Sequence, residues 1–285
     1  MYFLVAHFSI LGALSLMLVA GIRAALVPRD STRCAWLVLI SLMSILVSIP
    51  LTLALAGLAK FEPYRYDLYM AVIDRTFGYP NFLIGEYLSH HVLEASVVYT
   101  AYAAFYFVAL LTISAYLWLR PMRDMWLVVR TFLINFCLSI PFYGLIPVSG
   151  PRYAFRGFPQ LPEQFTLSTI TLKAAPNGMP SIHTSTALLV VWFTWRWKWW
   201  GRTAGLAFLA LTIIATLGTG EHYLIDLIAA VPYTALILRL GIGAGFGVKD
   251  EAEQSNLMVD TGTPSPSVCE VDLSTQFFRG GNPQL

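Results

Sequence analysis

The stretch Glu221-His222-Tyr223-Leu224-Ile225-Asp226 opens an apolar run that continues to residue 244. On a helix, a carboxylate four residues after a histidine lies on the same face and within reach of the ring. Ionisable groups at the head of a hydrocarbon-spanning helix are costly and by default functional. We therefore read a helix that crosses a bilayer and carries its polar pair at the mouth. A buried ion pair locking two helices is the alternative reading of that pair.

Working outward, the same pattern recurs. Apolar segments cover 2–27, 34–59, 93–119, 125–147, 183–200, 203–220 and 222–244. Each is long enough, or nearly so, for ~30 Å of hydrocarbon, the fifth and sixth being short. A 285-residue chain that is 57% hydrophobic and 12% charged, with its apolar residues in such blocks, is an all-α integral membrane protein rather than a soluble domain with an oversized core. The net charge of +2 argues against a nucleic-acid partner. Cys34, Cys137 and Cys269 are scattered, with neither metal-ligand spacing nor a disulfide framework. The first segment is too long and too apolar for a removed signal peptide and is kept as a span.

Loop charges set the expected orientation. Arg23, Arg29 and Arg33 cluster at the first connection, Arg120, Arg123 and Arg130 at the third, and Arg196, Lys198 and Arg202 at the fifth. The positive-inside rule puts these in the cytoplasm and turns loops 60–92 and 148–182 outward, with the tight 220–222 turn. Trp192, Trp195, Trp197, Trp199 and Trp200 read as an interfacial aromatic belt. The expected organisation is N-terminal spans over 1–59, an outer interfacial segment over 60–92, a membrane core over 93–246 and a disordered cytoplasmic tail over 247–285. In the interfacial segment Tyr64, Tyr66, Leu68, Tyr69, Val72 and Ile73 predict a helix lying on the membrane surface. The tail turns polar and rich in Ser, Pro, Thr and Gly.

A second motif, Asn177-Gly178-Met179-Pro180-Ser181-Ile182-His183, combines a turn signal with a proline suited to the first position of a helix. The unpaired amides of that helix start would receive a phosphate, Ser181 would add a hydroxyl, and His183 would stand one turn inside. A helix cap with a hydrogen-bonded histidine is the plainer reading. The third motif is Ser149-Gly150-Pro151-Arg152-Tyr153. Arginine bonds two phosphate oxygens at once through its planar fork. Arg156 and Lys173 lie in the same outer loop, and snorkelling to headgroups is the alternative for all three. In this scheme Asp226 holds the Nδ1–H of His222 and leaves Nε2 free to attack phosphorus. Glu221 reads as a solvated loop carboxylate.

Pro-Arg-Tyr, then Pro-Ser-x-His, then His-Tyr-x-x-Asp, each at the outer mouth of a span, resembles the type 2 phosphatidic acid phosphatase superfamily. The chain looks most similar to the branch containing inositol phosphorylceramide synthase. The likeness covers roughly residues 60–244 and implies a six-helix core with one extra N-terminal span. It also implies that His222 is the nucleophile that forms a phosphohistidine, oriented by Asp226. His183 would protonate the leaving oxygen and then deprotonate the incoming hydroxyl, and Arg152 would neutralise the phosphate, with no metal or other cofactor.

The sequence also departs from the family pattern. Simple phosphatases carry an arginine six residues before the nucleophilic histidine, where this chain has Thr216. The lysine seven residues before an Arg-Pro pair is likewise missing, since Ile113 precedes Arg120-Pro121. These departures favour a transferase of a phosphoryl or phospho-headgroup unit between membrane lipids over a phosphatase using water. A transporter or scaffold with a polar relay is the reading from a different class. Finally, Glu86, His90 and Glu94, with His91 adjacent, follow i, i+4 steps. They read as polar residues at the outer rim, with a divalent-ion site as the alternative.

Overall fold

The computed structural model describes residues 2–61, 63–160 and 166–243. The chain forms α1 (Tyr2–Leu26), α2 (Ser31–Phe61), β1 (Tyr64–Arg65), α3 (Asp67–Arg75), α4 (Pro80–His90), α5 (Val92–Ala103) and α6 (Phe105–Leu119). It continues through α7 (Met122–Leu145), α8 (Pro151–Ala154), β2 (Ile170–Thr171), α9 (Ile182–Thr194), α10 (Trp199–Gly218) and α11 (Leu224–Ile242). Each apolar block is helical over most of its described length, because a backbone in hydrocarbon must satisfy its own N–H and C=O groups. The protein is an all-α integral membrane protein. Among the described residues, four helical stretches, Pro28–Phe61 and helices α7, α10 and α11, are long and apolar enough to cross a bilayer alone, and α5 with α6 makes a fifth span bent by 55°.

Two spans differ from expectation. The stretch 93–119 is broken at Ala104 instead of forming one helix. The 183–200 helix ends at Thr194, where Trp197 N turns back onto the Thr194 carbonyl. Thirteen residues reach only ~20 Å, short of a bilayer core. This helix need not meet lipid along its length. Leu189, Val190 and Phe193 of α9 are buried with Leu117 of α6, Val128 and Phe132 of α7 and Ile237 of α11, so α9 runs inside the bundle.

The 60–92 segment is not a single surface helix. Tyr64 and Arg65 pair antiparallel with Thr171 and Ile170, and two helices, α3 and α4, follow. The face of α3 with Asp67, Leu68, Ala71 and Asp74 is buried, while Tyr66, Tyr69 and Ile73 are exposed. Leu68, Ala71, Phe82, Val148, Phe155 and Tyr223 form a second, smaller core that caps one end of the bundle. The histidine motifs lie under that cap.

Arg23, Arg33, Arg130 and Arg202, from the first, third and fifth connections, lie toward helix ends away from the cap. Arg23 pairs with Asp30 at 2.8 Å and lies over the Trp118 ring at 4.2 Å, while Arg33 donates to the Trp118 carbonyl. Arg130 donates to the Leu240 carbonyl and Arg202 to that of Trp195. Trp192, Trp195, Trp199 and Trp200 are exposed near these ends. The tail expected to be disordered, 247–285, lies outside the described residues.

Candidate active site

Ser181 caps α9, its hydroxyl accepting from Thr184 N at 3.3 Å, and its own N–H reaches the Asp226 carbonyl at 3.2 Å. The starts of α9 and α11 are thereby tied together. Ser181 is buried, and its hydroxyl accepts from both the amide and the hydroxyl of Thr184 at the helix end. Pro180 accordingly lies before the cap and not at the first helical position. His183, the second residue of α9, is 6% exposed, with its ring stacked on Tyr102 at 4.4 Å and tilted against Phe105 at 4.4 Å.

His222 sits in the turn between α10 and α11 and is 1% exposed. Its Nδ1 lies 2.9 Å from the Gly178 carbonyl, its Nε2 3.2 Å from His183 Nδ1. A carbonyl only accepts, so the hydrogen-bond pattern assigns the proton of His222 to Nδ1 and its lone pair to Nε2. His183 Nδ1–H then donates to that lone pair. The orienting group is thus a main-chain oxygen. Asp226 Oδ2 is farther from Nδ1, at 3.6 Å, and is engaged by Tyr223 N at 2.8 Å. Gly178 is required here: a Cβ would meet the Val148 carbonyl oxygen at 2.8 Å and push away the loop segment that presents its own carbonyl.

Arg152 belongs to the short turn α8, whose N–H groups begin at Gly150 with φ +108°. Only glycine fits there, because a Cβ would strike the Glu221 carbonyl. The Arg152 N–H donates to the Gly220 carbonyl at 3.0 Å, which brings the arginine beside the histidine turn. Its Nη1 donates to Glu221 Oε1 at 3.0 Å, and the Tyr153 hydroxyl donates to the same carboxylate at 3.1 Å. Glu221, expected to be solvated, is 4% exposed. Burial pushes its carboxyl above the usual range, with Arg152 opposing the shift. Gly150 packs tightly on the 220–221 turn and closes the loop over the side chain.

Arg156 and Lys173 are exposed, and no hydrogen bond joins either to the histidines. Thr216 is buried, with its hydroxyl returned to the Thr212 carbonyl at 2.8 Å, and supplies no donor to the site.

The carboxylates of α3 escaped the motif reading. Asp67, fully buried, accepts from Ser149 N at 3.1 Å, Gly150 N at 2.7 Å and the Tyr223 hydroxyl at 3.3 Å. Asp74, also fully buried, accepts from Leu224 N at 2.8 Å and Ile225 N at 3.2 Å. Arg65, buried beside them, donates to Ser149 Oγ at 3.0 Å and the Ala174 carbonyl at 2.8 Å. Their signal in the sequence is faint: two aspartates seven residues apart on one face of a short amphipathic helix.

Glu86, His90, His91 and Glu94 do not share one helical face. Helix α4 ends at His90 and α5 starts at Val92, with His91 non-helical between them. All four are exposed, and His91 stacks on Tyr87 at 3.9 Å. Among the described residues, no group of three or more His, Cys, Asp or Glu side chains stands where it could hold a metal ion.

The site is thus a membrane helix bundle with two buried histidines in contact and an arginine on the turn beside them. The PAP2 superfamily model matches residues 70–240, and the chain belongs to that superfamily. It is accordingly an enzyme of the PAP2 type, with phosphatase or phosphotransferase chemistry on lipid phosphate. The match spans Arg152, His183, His222 and Asp226 and leaves out α1, α2, Arg65 and Asp67. No curated protein and no solved structure matches the chain.

Proposed function

We propose that the protein is a membrane lipid phosphotransferase of the inositol phosphorylceramide synthase-like kind, which moves a phosphoryl or phospho-headgroup unit to a hydroxyl acceptor through His222. The observation that carries the reading is the 3.2 Å approach of His183 Nδ1 to His222 Nε2, with the opposite side of the His222 ring bonded to Gly178 O. One imidazole presents a lone pair and the other a proton at the same point in space.

In the proposed reaction the phosphate enters between the two rings and displaces the His183–His222 hydrogen bond, and the freed His222 Nε2 bonds to phosphorus as the bond to the leaving oxygen breaks. His183, in its protonated form, gives Nδ1–H to that oxygen. The phosphorylated His222 keeps its Nδ1 proton and becomes cationic, and the Asp226 carboxylate at 3.6 Å offsets the new charge. An acceptor hydroxyl then gives its proton to His183 and attacks phosphorus, the P–N bond breaks, and His222 is restored. Arg152 holds the non-bridging oxygens, with Arg156 and Lys173 of the same loop assisting and the start of α9 near Ser181 facing the phosphate.

Transfer from a phosphodiester is favoured over hydrolysis of a monoester by the charge at the site. Arg152 is already paired with Glu221, and Thr216 stands where phosphatases carry a further arginine. A monoanionic diester suits one partly neutralised cation better than a dianion does. The position of the basic helix ends, opposite the cap, supports an extracytoplasmic site with the chain leaving α11 on the cytoplasmic side. Membership of an enzyme family speaks against a transporter or scaffold.

The test uses purified protein in detergent. A phosphatase releases inorganic phosphate from dioctanoyl phosphatidate with no acceptor present. A transferase forms a new phosphodiester from a short-chain donor only when an alcohol is added. Phosphate release that ignores the alcohol would overturn the transferase reading in favour of water as acceptor.

A further inference from the structure

We propose that Asp67 is a positioning residue, whose carboxylate sets the placement of Arg152 relative to His222. The inference rests on the preceding reading, in which Arg152 holds the phosphate and His222 attacks it.

A single oxygen carries the argument. Asp67 Oδ1 accepts from Gly150 N at 2.7 Å, two residues before Arg152, and from the Tyr223 hydroxyl at 3.3 Å, one residue after His222. Oδ2 accepts from Ser149 N at 3.1 Å. The loop bearing the cation and the turn bearing the nucleophile thus meet on one side chain, from an element that the three motifs do not include. Arg65 fixes the other side of the same loop by donating to Ser149 Oγ at 3.0 Å. The far end of α3 is tied to α11 through Asp74, which takes the Leu224 and Ile225 amides left unpaired by the helix start. Asp67 therefore stands on a helix locked to the helix that carries Asp226.

A carboxylate is required for this task. Its two oxygens accept separately from the two amides, whereas a carboxamide turns its NH2 group toward one of them. Burying a carboxylate is costly, and at 0% exposure Asp67 bears that cost in full.

The experiment is a double-mutant cycle on the full-length protein in detergent, read as the affinity for orthovanadate, a phosphate mimic, and as turnover of dioctanoyl phosphatidate or dioctanoyl phosphatidylglycerol. Displacing a phosphate clamp by ~1 Å costs roughly a hundredfold, so Asp67→Asn should weaken both readouts by ~10- to 100-fold. Arg152→Ala should weaken them further, and the double variant should be no worse than Arg152→Ala alone, because a residue acting through another has nothing left to act on. Tyr223→Phe, which removes the bridging bond and leaves the two amide bonds, should give a smaller loss that disappears in the Asp67→Asn background. It serves if Asp67→Asn fails to fold. Losses that multiply across the cycle, or an unchanged vanadate affinity in Asp67→Asn and Tyr223→Phe, would overturn the role of Asp67 alone. Wild-type protein that binds no vanadate would instead sink the phosphate-site reading, and this inference with it.

Discussion

The two ends of the bundle both gather polar side chains, and they use them in opposite ways. At the basic end, Arg23 and Asp30 pair with the arginine 51% exposed, and Arg130 and Arg202 rest on backbone carbonyls beside exposed tryptophans. At the capped end, Asp67, Asp74, Glu221 and Asp226 are all buried around two buried histidines. Exposed pairs lose most of their attraction to solvent, whereas buried ones are costly to form and costly to break. One end leaves its charges toward solvent and the other buries them.

If that contrast is right, substitutions at the capped end should dominate. His222→Ala and His183→Ala should each lower turnover by ~10³-fold or more while the protein still elutes as a folded species. Full activity in both would end the histidine mechanism. Glu221→Gln should sharpen the contrast in another direction: by freeing Arg152 of its counter-charge, it should improve kcat/KM for a phosphate monoester relative to a diester by ~tenfold. An unchanged ratio would mean that Glu221 does not tune the substrate charge.

A third prediction uses pH. Burial is the main reason that the Asp67 carboxyl is pushed up to about 7 and the Asp74 carboxyl to about 6, each with a further push from Asp226, while the Ser149, Gly150, Leu224 and Ile225 amides and the Tyr223 hydroxyl pull the other way. A group raised in the folded state binds its proton more tightly there than in the unfolded chain. Its stabilising contribution is therefore complete below about pH 4 and is lost as the pH rises through the folded value. The melting midpoint in detergent should fall by roughly 5 °C between about pH 5 and pH 8, and the slope should flatten in Asp67→Asn. A midpoint that rises over this window would contradict the assignment. At the opposite end, Arg23→Ala should cost under ~1 kcal/mol and leave turnover unchanged.

The bundle was legible because hydrocarbon imposes length and composition on a span, and those are written locally. The break at Ala104 and the short α9 were not, since both depend on what lies alongside: α9 is sheltered by its neighbours and can stop at Thr194. At the site, the motif residues could be named because loop, proline and histidine sit close in sequence. Asp67 and Asp74 could not, because their partners are about 80 and 150 residues away in the chain. The pattern of α3 announced an amphipathic helix without saying that its acidic face was the buried one. Glu221 was misplaced for the same reason: the loop that covers it begins at Gly150. Glu86, His90 and Glu94 likewise looked like one helical face by spacing, and the non-helical backbone at His91 breaks the register.

The bond from His222 to the Gly178 carbonyl has a consequence for any mutational survey of this protein. No side-chain replacement at position 178 deletes a peptide oxygen; it can only displace it. The imidazole's aim is therefore inherited from the path of the main chain, and a scan that ranks positions by truncated side chains will credit the crowding around Val148 with an effect that belongs to an atom it never touched.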